Sequence, residues 1–259
     1  MRSFDVAVDL GARDGAFARA LEHSDARARV GRLVEADLSF AMLEGRTSMR
    51  LQLDEERLPF REGSLDLVVS TLALHWTNDL PGVLVQIRRA LRPDGLFIGA
   101  MFGGATLTEL RQSLIQAETE LSGGAGPRVS PFADAPDAAA LLQRAGFALP
   151  VADVDRIKAA YRNPLELLAD LRAMGEGNVL LDPGRRPLTR GVLERASALY
   201  AERFSRADGR ITATFEIVTM TGWSPHPDQQ QPLRPGSARM RLADALGVKE
   251  QSAGEKPGG

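Results

Sequence analysis

The chain has 259 residues, 44% hydrophobic and 25% charged, which is enough to bury a substantial core and too apolar for global disorder. Its 32 basic and 34 acidic side chains leave a net charge of -2, so bulk electrostatic attraction to nucleic acid or anionic lipid is not expected. There is no cysteine, which excludes disulfide scaffolds, thiolate metal sites and cysteine nucleophiles; the histidines are His23, His75 and His226. Asp5, Asp9, Arg13, Asp14 and Arg19 would ruin an amino-terminal signal core, and the longest apolar run, 65–76, is too short to span a membrane. A soluble, cytoplasmic protein is the expectation.

In chain order, short apolar strands are predicted at residues 5–10, 32–37, 49–53, 65–70 and 96–101. Helices at 16–21, 40–43 and 80–91 alternate with them. Ser39 is the expected N-cap of the second helix, and Pro93-Asp94-Gly95 the turn that stops the third. Strands that are apolar throughout, alternating with helices, belong to a parallel sheet covered on both faces.

Beyond Phe102 the rhythm changes. Helices are predicted at 106–121, 136–145, 165–174 and 188–204, with a glycine-rich break at 123–127 and strands at 151–161 and 211–223. Those two strands lack the apolar neighbours for a sheet of their own, so they are expected to complete the first one. The fold class is therefore α/β: a Rossmann-like, mostly parallel seven-stranded sheet with helical insertions in the C-terminal half. Three segments follow: a ligand-binding core (1–105), a half that completes the sheet and carries a helical lid (106–223), and a tail (224–259). The tail is rich in Pro, Gln, Gly and Ser, with one short helix expected at 239–246 and disorder from 249.

The chemistry concentrates in Val8-Asp9-Leu10-Gly11-Ala12-Arg13-Asp14-Gly15. A glycine turn after the first parallel strand lets the backbone approach a nucleotide-type ligand closely. The dinucleotide pattern G-x-G-x-x-G fails at Arg13 and Ala16, and no phosphate-loop pattern is present. An acidic Asp9 beside such a turn suits a ligand with an ammonium group, such as the methionine part of S-adenosylmethionine. Asp37, after the second strand, is either an acceptor for both hydroxyls of a ribose or an acid that serves a helix start or an Asx turn. Asp54, after the third, either accepts from an adenine amine shielded by Met42, Leu58 or Phe60, or belongs to a solvated charge run. All three acids fall on one carboxyl edge of the sheet.

These blocks, with 64–76 and Leu91-Arg92-Pro93-Asp94-Gly95-Leu96, resemble the class I S-adenosylmethionine-dependent methyltransferases. A narrower likeness runs through Leu74-His75-Trp76-Thr77-Asn78-Asp79-Leu80-Pro81, Gly99-Ala100-Met101-Phe102-Gly103-Gly104, Ser130-Pro131-Phe132 and Met174-Gly175-Glu176-Gly177-Asn178. It is to the complex I assembly factor family named for NADH dehydrogenase 1 alpha subcomplex assembly factor 5. The resemblance implies S-adenosylmethionine as cofactor, held by Asp9, Gly11, Ala12, Gly15, Asp37, Met42, Asp54, Leu58 and Ser70. It implies methyl transfer to a small molecule or protein, or arginine hydroxylation, or a chaperone role, on a complex I subunit. No nucleic acid, membrane span or metal site is expected. His75 and Trp76, after the fourth strand, are the candidate catalytic pair, His75 as a general base or as a packed structural histidine. Arg13 departs from the superfamily, which usually has glycine there.

Overall fold

The computed structural model describes residues 2–180, 187–228 and 247. One compact unit, Met1–Pro225, contains every element below; His226–Gly259 is a second unit, and the helix expected at 239–246 lies outside the described residues.

The amino-terminal half contains β1 (Phe4–Leu10), α1 (Ala16–Glu22), β2 (Val30–Asp37), α2 (Phe40–Leu43), β3 (Met49–Gln52), β4 (Leu65–Thr71), α3 (Leu80–Ala90) and β5 (Leu91–Phe102). Then follow α4 (Thr108–Ser122), α5 (Ala135–Arg144), β6 (Ala148–Tyr161), α6 (Pro164–Ala173), α7 (Arg190–Phe204) and β7 (Ile211–Trp223). The seven strands form one sheet in the order β3-β2-β1-β4-β5-β7-β6. The first five are parallel; β7 runs antiparallel to both β5 and β6. Strands 151–161 and 211–223 thus complete the sheet as expected.

Side-chain alternation divides the core. Ala7, Leu67 and Val69 face one side with Leu21 of α1, while Val8, Leu10 and Val68 face the other with Val83, Leu84 and Ile87 of α3 and Leu142 of α5. A third cluster packs α4, α6 and α7 over the ends of β5 and β7, through Phe102, Leu114, Leu171, Tyr200 and Phe215. Helix starts follow sequence chemistry: Asp79, Asp134, Asn163 and Thr189 each accept a backbone N–H from their first turn.

One expectation is corrected. Pro93-Asp94-Gly95 does not separate helix from strand; it lies inside β5. Between the pairs Leu65–Leu91 and Leu67–Leu96, β4 advances two residues and β5 five. The excess is a bulge with Asp94 at φ +60°, its N–H donated to the Ser224 carbonyl, while the Ser224 N–H is donated to Gly95. The tertiary partner supplies the hydrogen bonds that proline cannot.

Phe97 on β5 is fully buried and packs against Phe147 at 5.5 Å, over the space that the missing side chain of Gly99 leaves. Phe97→Ala is expected to cost about 3–5 kcal/mol in urea unfolding, because it removes an aromatic ring from a close-packed layer.

Candidate active site

Strand order reverses between β1 and β4, whose following loops diverge and leave a crevice at the carboxyl edge, where such sheets take their ligands. Gly11 sits at its floor at φ +73°. A Cβ there would collide with Ala73 after β4, so only glycine fits. The Gly11 and Ala12 N–H groups are both donated to the Ala36 carbonyl, which ties the turn to β2. Gly15, at φ +76°, starts α1 and leaves room for the Arg46 guanidinium. The Ser70 hydroxyl is not turned toward the crevice: it donates to the Leu10 carbonyl at 2.7 Å and locks β4 to β1.

Asp9 is fully buried, and neither of its carboxylate oxygens has a hydrogen-bond partner. Burial, reinforced by the neighbouring Glu35, pushes it from an ordinary 3.8 to about 7. Glu35 is itself satisfied by Arg46 and Ser48, and Arg46 reaches on to the Arg13 carbonyl. An unpartnered buried acid at the base of a ligand crevice is a group prepared for something the protein does not contain.

Asp37, nearly buried, makes the Asx turn that was one of the two readings given from sequence. One oxygen accepts from Ser39 N at 2.8 Å in an Asx turn, the other from Arg13 N at 2.8 Å. Each retains a lone pair for a ligand hydroxyl. Asp54 is exposed and caps its own turn, accepting from Glu56 N at 2.8 Å. Its neighbour Glu55, half-buried, turns inward instead: a Cβ on Gly11 would lie 3.8 Å from its carboxylate. Burial holds Glu55 above its ordinary range, with Asp37 and Asp54 adding to the rise. Leu58 is partly buried and packs against the core cluster that includes α3, and Met42 on α2 is exposed.

Two side chains, Arg13 and His75, converge on Glu176, which follows α6. Its carboxylate accepts from Arg13 Nη1 at 2.8 Å and pairs with His75 Nε2 at 3.1 Å. Burial pushes Glu176 up, but the hydrogen bonds from His75 and Arg13 outweigh it and hold the carboxyl below its ordinary range. The His75 side chain is only 3% exposed, boxed by Trp76, Phe102 and Phe132, and its Nδ1 has no partner. Beyond this box opens a cavity of about 390 Å³, walled by Trp76, Phe102, Leu107, Leu110, Phe132, Leu171 and Phe215, with Arg172, Glu176 and Asn178 as polar points. Among the described residues no group of three or more His, Asp or Glu is arranged to hold a metal ion, and no helix is long and apolar enough to cross a membrane.

Residues 8–99 match the family described as "Methyltransferase domain". Over 94% of this chain and 76% of the relative, the sequence is 42% identical to the mitochondrial arginine-hydroxylase NDUFAF5 of Danio rerio. The human protein of that name is also 42% identical, over 94% of this chain and 70% of its own. A malonyl-[acyl-carrier protein] O-methyltransferase of Methylovorus is 32% identical over 92% of this chain and 78% of the relative. The fold is shared with the YcgJ protein of Bacillus subtilis, with a TM-score of 0.59 and 14% identity, covering 87% of this chain and 94% of that one. The chain belongs to the family of these NDUFAF5 proteins, and its residues 8–99 form a methyltransferase domain.

The crevice fits S-adenosylmethionine on three counts: an unpartnered buried acid for its ammonium, lone pairs on Asp37 for its hydroxyls, and a side-chain-free floor at Gly11. Sequence reasoning missed Glu55, Arg46 and Glu176. Glu55 follows Asp54, which it had marked; Glu176 falls in the 174–178 block that carries the family likeness, but nothing in the sequence brings it to Arg13, 163 residues away.

Asp9 generates a pH-dependent prediction. The unfolded chain releases this proton near 3.8 and the folded chain near 7, so between those values the unfolded state binds fewer protons and stability falls as pH rises. Asp9→Asn, neutral at every pH, is expected to equal wild type near pH 4 and to exceed it near pH 8 by on the order of 4 kcal/mol in chemical unfolding of the ligand-free protein. A gain independent of pH would contradict the raised pKa.

Proposed function

We propose that the protein binds S-adenosylmethionine at the β1–β4 crevice and transfers its methyl group to a substrate seated in the 390 Å³ cavity beside Trp76 and Glu176. The observation that carries this reading is the unpartnered Asp9 carboxylate at the crevice base, next to a cavity that shares the Glu176 wall. When bound, the cofactor supplies an electrophilic methyl group on a sulfonium. Asp9 offers the ammonium its charge, and Asp37 accepts from the ribose hydroxyls with the lone pairs left over from Arg13 N and Ser39 N. Met42, Leu58 and Asp54 are the proposed surroundings of the adenine, with Glu55 as a further acid that faces the Gly11 turn.

His75 is the proposed base. Its Nε2 donates to Glu176, which leaves the lone pair on Nδ1 to take the proton of an incoming nucleophile. Trp76, Phe102 and Phe132 exclude water around it, and the largely apolar cavity wall selects an apolar chain or side chain.

A second reading follows from the 42% identity to proteins named arginine-hydroxylase: the substrate is an arginine of a complex I subunit. One observation favours it, because Glu176 already receives a guanidinium, that of Arg13. Mass spectrometry of the modified product separates the two readings, since methyl transfer adds a methylene and hydroxylation an oxygen atom.

Calorimetric titration is expected to give saturable cofactor binding, with Asp37→Ala raising the Kd about 10- to 100-fold through loss of a charge-assisted acceptor. An unchanged Kd would remove Asp37 from the ribose.

A further inference from the structure

The Arg13 backbone adopts φ +48°, in the left-handed region that favours glycine. Its side chain spans the crevice. One guanidinium nitrogen donates to the Leu72 carbonyl, just after β4, at 3.3 Å and to Glu176 at 2.8 Å; the other donates to the Met174 carbonyl. The receiving turn is shaped for this cation. Gly175 sits at φ +78°, and a Cβ there would come within 3.1 Å of Arg13 Nη2. Glu176 is 6% exposed at its side chain, so its charge needs a partner.

Three acceptors from two separate loops therefore surround one positive group, at the switch point where the cofactor binds. A ligand that brings its own ammonium and sulfonium into the crevice meets a guanidinium in the way. We propose that Arg13 is an internal cation clasped by Glu176 across the cofactor crevice, and that S-adenosylmethionine binds only as this clasp opens. The inference rests on the cofactor lying at the β1–β4 crevice. It makes Arg13 and Glu176 determinants of cofactor affinity, and it joins the carboxy-terminal half to an event in the amino-terminal one.

The test is calorimetric titration of S-adenosylmethionine into wild type, Arg13→Gly, Arg13→Gln, Glu176→Gln and the Arg13→Gln/Glu176→Gln double variant. Arg13→Gln removes the cation while keeping a side chain at the left-handed position, so it separates the clasp from backbone strain. Arg13→Gln is expected to bind about tenfold more tightly than wild type, the equivalent of about one displaced charge-assisted hydrogen bond. Glu176→Gln alone is expected to tighten binding by a smaller factor, and to add nothing once Arg13 is already Gln, because its effect acts through the guanidinium. Thermal unfolding of each variant without ligand identifies any that fail to fold, and either single side-chain variant suffices to decide.

Tightening by Arg13→Gly but not by Arg13→Gln would overturn the proposal in favour of backbone strain. Weaker binding by Arg13→Gln would overturn it in favour of an arginine that holds the cofactor's carboxylate. Absence of binding in wild type and in every folded variant would reject the cofactor site itself, a failure distinct from the two above.

Discussion

The adjacency of β1 and β4, locked by the Ser70 hydroxyl on the Leu10 carbonyl, is the constraint from which the rest of the site follows. Parallel strands deliver their carboxyl ends to one edge, and neighbours whose chains leave in opposite directions must open a gap there. Gly11 narrows that gap to backbone width against Ala73, and the Ala36 carbonyl binds the turn from below through two N–H groups. Three of the acids at the site are then positioned by strand register: Asp9 opposite Glu35, and Asp37 at the end of β2.

Charge within this edge is distributed unevenly, and the unevenness carries the chemistry. Glu35, Glu118 and Glu216 are buried acids with arginine partners, which makes them structural. Asp9 lacks such a partner, although Arg46 lies close enough to temper its raised pKa. A group left in that condition destabilises the free protein and favours any ligand that brings the missing positive charge. Stability is surrendered for binding at the same atom, a compromise that functional sites often show.

Glu176 is the corresponding hinge between the two halves. One oxygen meets Arg13 and the other His75, and Glu176 itself lines the cavity. Removing either partner leaves the carboxylate half-satisfied in a nearly dry environment.

Much was legible in the sequence. Apolar runs alternating with helical periods specified the parallel α/β layout, because burial on both faces demands strands without polar alternation; residues 211–223 proved to be β7 with the boundaries expected. The glycine turn, Asp9 and Asp37 were readable for a similar reason: each follows from local position at a strand end. Other features depended on distant partners. Pro93 to Gly95 reads as a stop, yet becomes a bulge once Ser224 supplies its hydrogen bonds. Asp54 and Glu55 are adjacent acids, and only the closure of their turn chose which faces Gly11. Most of all, Arg13, His75 and Glu176 are separated by up to 163 residues and meet only because α6 packs over the sheet end. Local periodicity encodes which face of an element is buried; it holds no record of which distant charge will lie against that face, and that was decided by tertiary packing alone.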